Sequence, residues 1–187
     1  MANHMETYIQ IKNGDDRVLE KVREIFTPNE GQYDVGTEDL MKRIFGEDAP
    51  EEYDYGWACD NLGAKWIYSE YEDSDECEYI DLRLTSAWSV PQGLLKGLSK
   101  ALYNIKEDCY ICGTYEDESM DPCGAFIYAK DYDDIEDYDD EYDWDKDEED
   151  DFYREQWHDC IFDLLKEVEG AYLEYLEDKK NNPEDYQ

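Results

Sequence analysis

Lys65-Trp-Ile-Tyr-Ser-Glu-Tyr71 and Cys77-Glu-Tyr-Ile-Asp-Leu-Arg-Leu84, separated by Glu72-Asp-Ser-Asp-Glu76, decide the fold. The two outer runs are rich in aromatic and branched apolar residues, and the acidic stretch between them interrupts the pattern, so together they predict a β-hairpin. Upstream, Thr7-Tyr-Ile-Gln-Ile-Lys12 alternates apolar and polar residues with the period of a half-buried strand, and Asn13-Gly14 turns it. Asp15 or Asp16 can cap the helix that follows, whose apolar face is Val18, Leu19, Val22, Ile25 and Phe26, with Pro28 just past its end.

Residues 27–60 form a helical insertion before the hairpin, and Thr37 is expected to cap a short helix that stops at Gly46. Downstream, Ser89-Val-Pro-Gln92 has the spacing of a capping box, and Leu94, Leu95, Leu98, Ala101 and Leu102 supply a buried stripe. Two further strands are expected from Asp108 to Tyr115 and from Cys123 to Lys130. The resulting order is β-α-β-β-α-β with an extra strand, an α+β, ferredoxin-like sandwich over residues 1–130.

Residues 131–151 change character: fifteen acids and one base, Lys146, interleaved with Tyr132, Tyr138, Tyr142 and Trp144. Beyond them, Phe152, Trp157, Ile161, Leu164, Leu165, Val168, Tyr172 and Tyr175 recur at three- and four-residue spacing. That spacing predicts a long amphipathic helix within residues 152–187, with Lys179 and Lys180 suiting its C-terminal dipole. Such a helix either packs on the sheet or pairs with a second copy in a homodimer.

The chain holds 53 Asp and Glu against 17 Lys and Arg, a net charge of −36. Designed small domains carry about 2 to 8 charges in excess, and surplus like charge opposes compaction. The 131–151 segment accounts for −14, so the remaining 166 residues carry −22 and the folded body is itself acidic. Such a surface repels nucleic acid and anionic lipid, so neither direct nucleic-acid binding nor membrane association is expected. With no apolar run of signal-peptide or membrane-span length, a cytoplasmic location is expected. In that compartment the six cysteines read as thiols rather than disulfides.

Trp57-Ala-Cys-Asp-Asn-Leu-Gly-Ala-Lys-Trp66 and Ser86-Ala-Trp-Ser-Val-Pro91 resemble the YubB ferredoxin-like family, a domain of plasmids and bacteriophages whose function is uncharacterised. The opening Met1-Ala-Asn-His4 also fits that family. Leu62 and Ala64 depart from the aromatic and hydroxyl residues expected there, and Val90 stands where a proline is usual. The resemblance covers roughly residues 1–130 and implies a ferredoxin-like sandwich without implying a reaction. The acidic segment and the last helix are additions to that domain.

Catalytic constellations are poorly represented. Nucleophilic catalysis needs a base beside the nucleophile, and the two histidines, His4 and His158, lie at a terminus and on the amphipathic helix. Cys109-Tyr-Ile-Cys112 has the spacing of a redox or zinc pair, but on a strand residues three apart face opposite sides. Asp139, Glu141, Asp143, Asp145 and Asp147 alternate as calcium ligands do, yet no register supplies the glycine and final glutamate of an EF-hand. No cofactor is expected, and the chain reads as a non-enzyme.

Charge is the remaining functional signal. The candidate partner-binding residues are Asp131, Asp133, Asp134, Glu136, Asp137, Asp139, Asp140, Glu141, Asp143, Asp145 and Asp147, with Tyr138, Tyr142 and Trp144 as stacking groups. Helical, the segment would carry a charge every ~2.3 Å, close to the ~1.7 Å of duplex DNA, and extended every ~5 Å, nearer the ~3.4 Å of a single strand. The expected function is a phage-type anti-defence inhibitor that mimics DNA and occupies the basic surface of a restriction, BREX, CRISPR or nuclease protein. The alternative is an acidic calcium-binding or adaptor module without inhibitory activity.

Overall fold

The computed structural model describes residues 3–71, 80–119, 122–138 and 150–186. In chain order the elements are β1 (His4–Lys12), α1 (Asp16–Phe26), β2 (Val35–Gly36), α2 (Thr37–Phe45), α3 (Tyr55–Leu62), β3 (Ile67–Tyr71), β4 (Ile80–Ala87), α4 (Gln92–Tyr103), β5 (Tyr110–Asp117), β6 (Cys123–Ala129), β7 (Tyr132–Asp137) and α5 (Asp150–Asn181). The α+β class expected from the sequence is observed. All seven strands join one antiparallel sheet in the order β2-β3-β4-β1-β5-β6-β7.

The inner face of the sheet carries the main core. Met5, Ile9 and Ile11 of β1, Leu82 and Leu84 of β4, Ile111 and Tyr115 of β5 and Phe126 of β6 meet Val18, Val22 and Ile25 of α1 and Leu94, Leu95 and Leu98 of α4. The period-two pattern of β1 follows from this: odd positions are buried, while His4 and Tyr8 are exposed on the other face. β6, by contrast, is buried along its whole length because it is covered on both sides, and Cys-Gly-Ala-Phe-Ile-Tyr-Ala accordingly shows no alternation.

The second cover is α5. Its Leu165, Val168 and Tyr172 pack on Tyr110 and Cys112 of β5 and on Ala125, Ile127 and Ala129 of β6, while Ile161 meets Cys123. Each buried apolar side chain in this stripe contributes about 1.5–3 kcal/mol. Of the two arrangements left open by the sequence, packing of the last helix on its own sheet is the one observed. α5 covers the β5–β6–β7 half of the outer face, while Tyr8 of β1 and Tyr68 of β3 stay over 40% exposed.

Two capping expectations are corrected. Thr37 is the first residue of α2, whose cap position is Gly36 and has no side-chain bond. Thr37 instead splices that helix to β3: its hydroxyl accepts from the Ile67 amide at 2.8 Å and donates to the Ile67 carbonyl at 3.1 Å. The Ser89–Gln92 capping box does not form either, because α4 begins after Pro91 and Ser89 Oγ donates to the Gly63 carbonyl at 2.6 Å. Asp15 caps α1 as expected, accepting from the amides of Arg17 and Val18.

Candidate functional site

The first part of the acidic segment is a sheet edge. Asp131 makes a left-handed turn (φ 62°), after which β7 pairs with β6 from Tyr132 to Asp137. Alternation places Asp133 and Asp137 on one side of this strand, and Asp134 and Glu136 on the side of α5. At about 3.4 Å per residue, these four carboxylates fall within ~14 Å, an average interval of ~4.5 Å, somewhat wider than the ~3.4 Å between charges along one nucleic-acid strand.

Several of these groups have local partners. Asp131 accepts from Lys179 Nζ at 3.2 Å, Asp133 lies 2.7 Å from Lys96 Nζ, and the Asp137 carboxylate accepts from the Tyr115 hydroxyl. Burial, reinforced by that hydrogen bond to Asp137, raises the Tyr115 phenol well above its ordinary pKa. Tyr138 packs on Cys123 and Ile161, and its amide donates to the Cys123 carbonyl at 2.8 Å. Asp139, Asp140, Glu141, Tyr142, Asp143, Trp144, Asp145 and Asp147 lie outside the described residues.

α5 adds a second row of charge. Asp159, Asp163 and Glu167 recur every four residues and are exposed, and Glu174 and Asp178 continue on the same side of the helix. Across the described surface many of the cations are held close to carboxylates. Lys12, Lys21, Lys42, Lys106, Lys130 and Lys166 pair with Glu169, Glu24, Glu38, Asp108, Glu107 and Asp163, and Arg17 pairs with Asp15. With positive charge consumed locally and acids in threefold excess, the net field is negative.

The uncovered half of the outer sheet face carries a feature that the sequence reading did not single out as functional. His4 meets the Trp66 ring edge-on at 5.3 Å, Trp66 lies 5.4 Å from Tyr68, and Lys65 Nζ sits 5.2 Å from the Trp88 ring and 5.9 Å from that of Tyr55. Trp88 is 54% exposed and left-handed (φ 68°), a conformation that costs an L residue about 1–2 kcal/mol. Its amide donates to the Asn3 carbonyl at 3.1 Å, which pins the turn. The available signal was the two Trp-containing stretches. The structure packs them together through the Ser89–Gly63 bond and the Ala87 amide donating to the Trp66 carbonyl.

Arg83 organises the rest of this face. Its Nε donates to Glu6 at 2.6 Å, its terminal nitrogen lies 3.4 Å from Glu70, and its guanidinium stands 5.8 Å from the Tyr8 ring. The hydrogen bond to Glu6 raises the Arg83 pKa further above its already high value. His158 of α5 lines the groove between this face and the helix. Cys109 and Cys112 enter the inner and outer cores respectively, so the CxxC spacing does not assemble a thiol pair.

Among the described residues no group of His, Cys, Asp and Glu is arranged to hold a metal ion, and no helix is long and apolar enough to cross a membrane. Compared with protein-family profiles, curated proteins and solved structures, the chain matches none.

Proposed function

We propose that the protein is a nucleic-acid mimic that occupies the basic nucleic-acid-binding surface of a host defence or DNA-processing protein, and that it performs no catalysis. The observation carrying this reading is β7: a sheet edge with carboxylates on both sides, one per ~4.5 Å of strand axis, a density approaching that of a single phosphate backbone. The exposed acidic row of α5, from Asp159 to Asp178, extends the same sign of charge over about 29 Å. Exposed ion pairs such as Lys96–Asp133 are weak, so a partner's Arg can exchange with the internal Lys at little cost.

The fold reading that accompanies this proposal is ferredoxin-like. β1, α1, β3, β4, α4 and β5 follow β-α-β-β-α-β, with strands side by side as β3-β4-β1-β5. β6, β7 and α5 are additions at one edge, and they carry the acidic surface. The resemblance of residues 57–66 and 86–91 to the YubB family, a domain of plasmids and phages, supports this reading, since host restriction, BREX, CRISPR and nuclease proteins are the natural targets of such elements.

A salt-graded pull-down from bacterial lysate tests the proposal. The expected catch is a basic DNA- or RNA-handling protein, released by competing duplex DNA and by raising salt. Recovery of only acidic or neutral partners would reject mimicry, as would binding indifferent to DNA. Binding of calcium with ordering of residues 139–149, and no such catch, would favour the calcium module instead.

A further inference from the structure

A groove of about 580 Å³ separates α5 from the outer face of β1, β4 and β5. One rung of the sheet crosses its floor: Glu70 pairs with Arg83, Arg83 with Tyr8, and Tyr8 with Thr114. The α5 wall includes Phe162, which is 49% exposed, opposite Tyr8, which is 41% exposed. On the neighbouring rung Glu6 stands directly across from Glu116.

Like charges directly opposite on adjacent strands are destabilising. Arg83 relieves Glu6 from the β4 side, but no cation among the described residues is in ion-pair contact with Glu116 on the β5 side. Glu6 and Glu70 therefore share one guanidinium and Glu116 has none, in a site flanked by two half-exposed aromatic rings. The missing cation must suit carboxylates and ring faces together. Arginine does so, through its planar, forked and weakly hydrated guanidinium, whereas the lysine ammonium is a strongly hydrated point charge.

We infer that this groove is a docking site for an arginine-bearing segment of a protein partner, with the guanidinium lodged between Glu116 and Glu6 and the aliphatic stem against Tyr8 and Phe162. This deepens the mimicry reading, since it rests on a basic partner, and supplies an anchored contact where the β7 and α5 surfaces supply only diffuse charge.

The test uses the full chain and a fluorescein-labelled peptide of alternating Arg and Gly, with a citrulline version that keeps the shape and loses the charge. Anisotropy titrations at two salt concentrations compare the wild type with Glu116→Gln and Phe162→Ala. Glu20→Gln removes an exposed charge from α1, on the opposite face of the sheet. The expected result is about a ten-fold loss of affinity for Glu116→Gln and about five-fold for Phe162→Ala, against less than two-fold for Glu20→Gln. Citrulline should abolish binding, and amide NMR shifts on adding the Arg peptide should centre on Tyr8 and Thr114.

Equal weakening by both charge removals would overturn the groove and leave charge mimicry standing. Groove-specific binding without any nucleic-acid-handling protein in the lysate capture would do the reverse. Tighter peptide binding after neutral replacement of residues 139–149 would assign the groove to that segment of the chain, and peptide binding that displaces a dimer would assign it to a second copy; both overturn the inference.

Discussion

Gly93, in the first turn of α4, sits so close to the end of α3 that a Cβ on it would lie 1.9 Å from the carbonyl oxygen of Asn61. The obstacle is backbone, so no side-chain rotation relieves it. Gly93→Ala is expected to destabilise the protein by about 2–4 kcal/mol in urea unfolding, as overpacking against fixed atoms does. Gly170 is the counterpart, with nothing within 4 Å of its hypothetical Cβ in the middle of α5. Gly170→Ala should therefore stabilise by about 0.5–1 kcal/mol through helix propensity. Equal effects at the two sites would refute this account of the helix contact.

Trp88 holds its left-handed backbone while more than half exposed, so its ring recovers little burial for the strain it imposes. Trp88→Gly removes the conformational cost and the contact with Lys65; Trp88→Ala removes only the contact. Denaturation midpoints should rank glycine above alanine by about 1 kcal/mol. A reversed order would mean that residue 88 does not hold the left-handed conformation in solution.

How legible these features were in the sequence depended on what covers each residue. β1, α1, α4 and the α5 stripe announce themselves because each buries a single face, so periodicity survives. β2 has two residues and no period to read, and α3 was hidden inside the insertion because its apolar contacts are few: Ala58 and Leu62 buried, Trp57 edge-on to Phe45. Thr37 and Ser89 looked like caps because hydroxyls near helix starts usually are. Here each is captured by a distant carbonyl, of Ile67 and Gly63, that no local pattern reveals. At the candidate site the abundance of acid was plain, but the rung joining Glu70, Arg83 and Tyr8 depends on register between strands far apart in sequence.

The surface ion pairs are mostly exposed, and such pairs are worth about 0–1 kcal/mol each. Repulsion among 36 uncompensated negative charges acts across the whole body. Raising NaCl from tens to hundreds of millimolar shortens the Debye length from roughly 20–30 Å to below 10 Å, weakening the long-range repulsion more than the contacts. Melting temperature is expected to rise by several degrees over that range, about 1 kcal/mol or more for a chain this size. A falling midpoint would show that the pairs outweigh the net charge.

Burial pushes the Cys109 thiol up to about 11 and Cys112 to about 12, from an ordinary value of 9.0. Tyr110 moves the same way, through burial and its hydrogen bond to Glu169. Above pH 9 the unfolded chain releases thiol protons that the folded chain retains, so unfolding gains. Stability from these thiols is intact below about pH 9 and is lost as pH rises through 11 to 12. Urea midpoints should fall in that window, less steeply in a Cys112→Ala variant. At neutral pH a thiol reagent should modify the half-buried Cys59 and Cys160 while leaving Cys109, Cys112 and Cys123 to wait for unfolding.

Separating the acidic segment from the acidic body requires a cut that respects β7. Removing residues 131–151 would take away Tyr132, whose ring lies 5.2 Å from Tyr172 and 4.9 Å from Tyr175, and with it the strand that shields β6. Loss of binding in that deletion would only report loss of fold. Replacing 139–149 by Gly and Ser at equal length removes eight acids and Lys146, leaving a net charge of −29. Because β7 and the exposed row of α5 are untouched and the net repulsion falls, the variant should unfold at an equal or slightly higher urea concentration and still capture its partner. Affinity should drop about ten-fold, with a shallower dependence on salt, since fewer counter-charges are engaged. Complete loss of capture with an undiminished unfolding midpoint would move the recognition surface into 139–149 and away from the sheet edge.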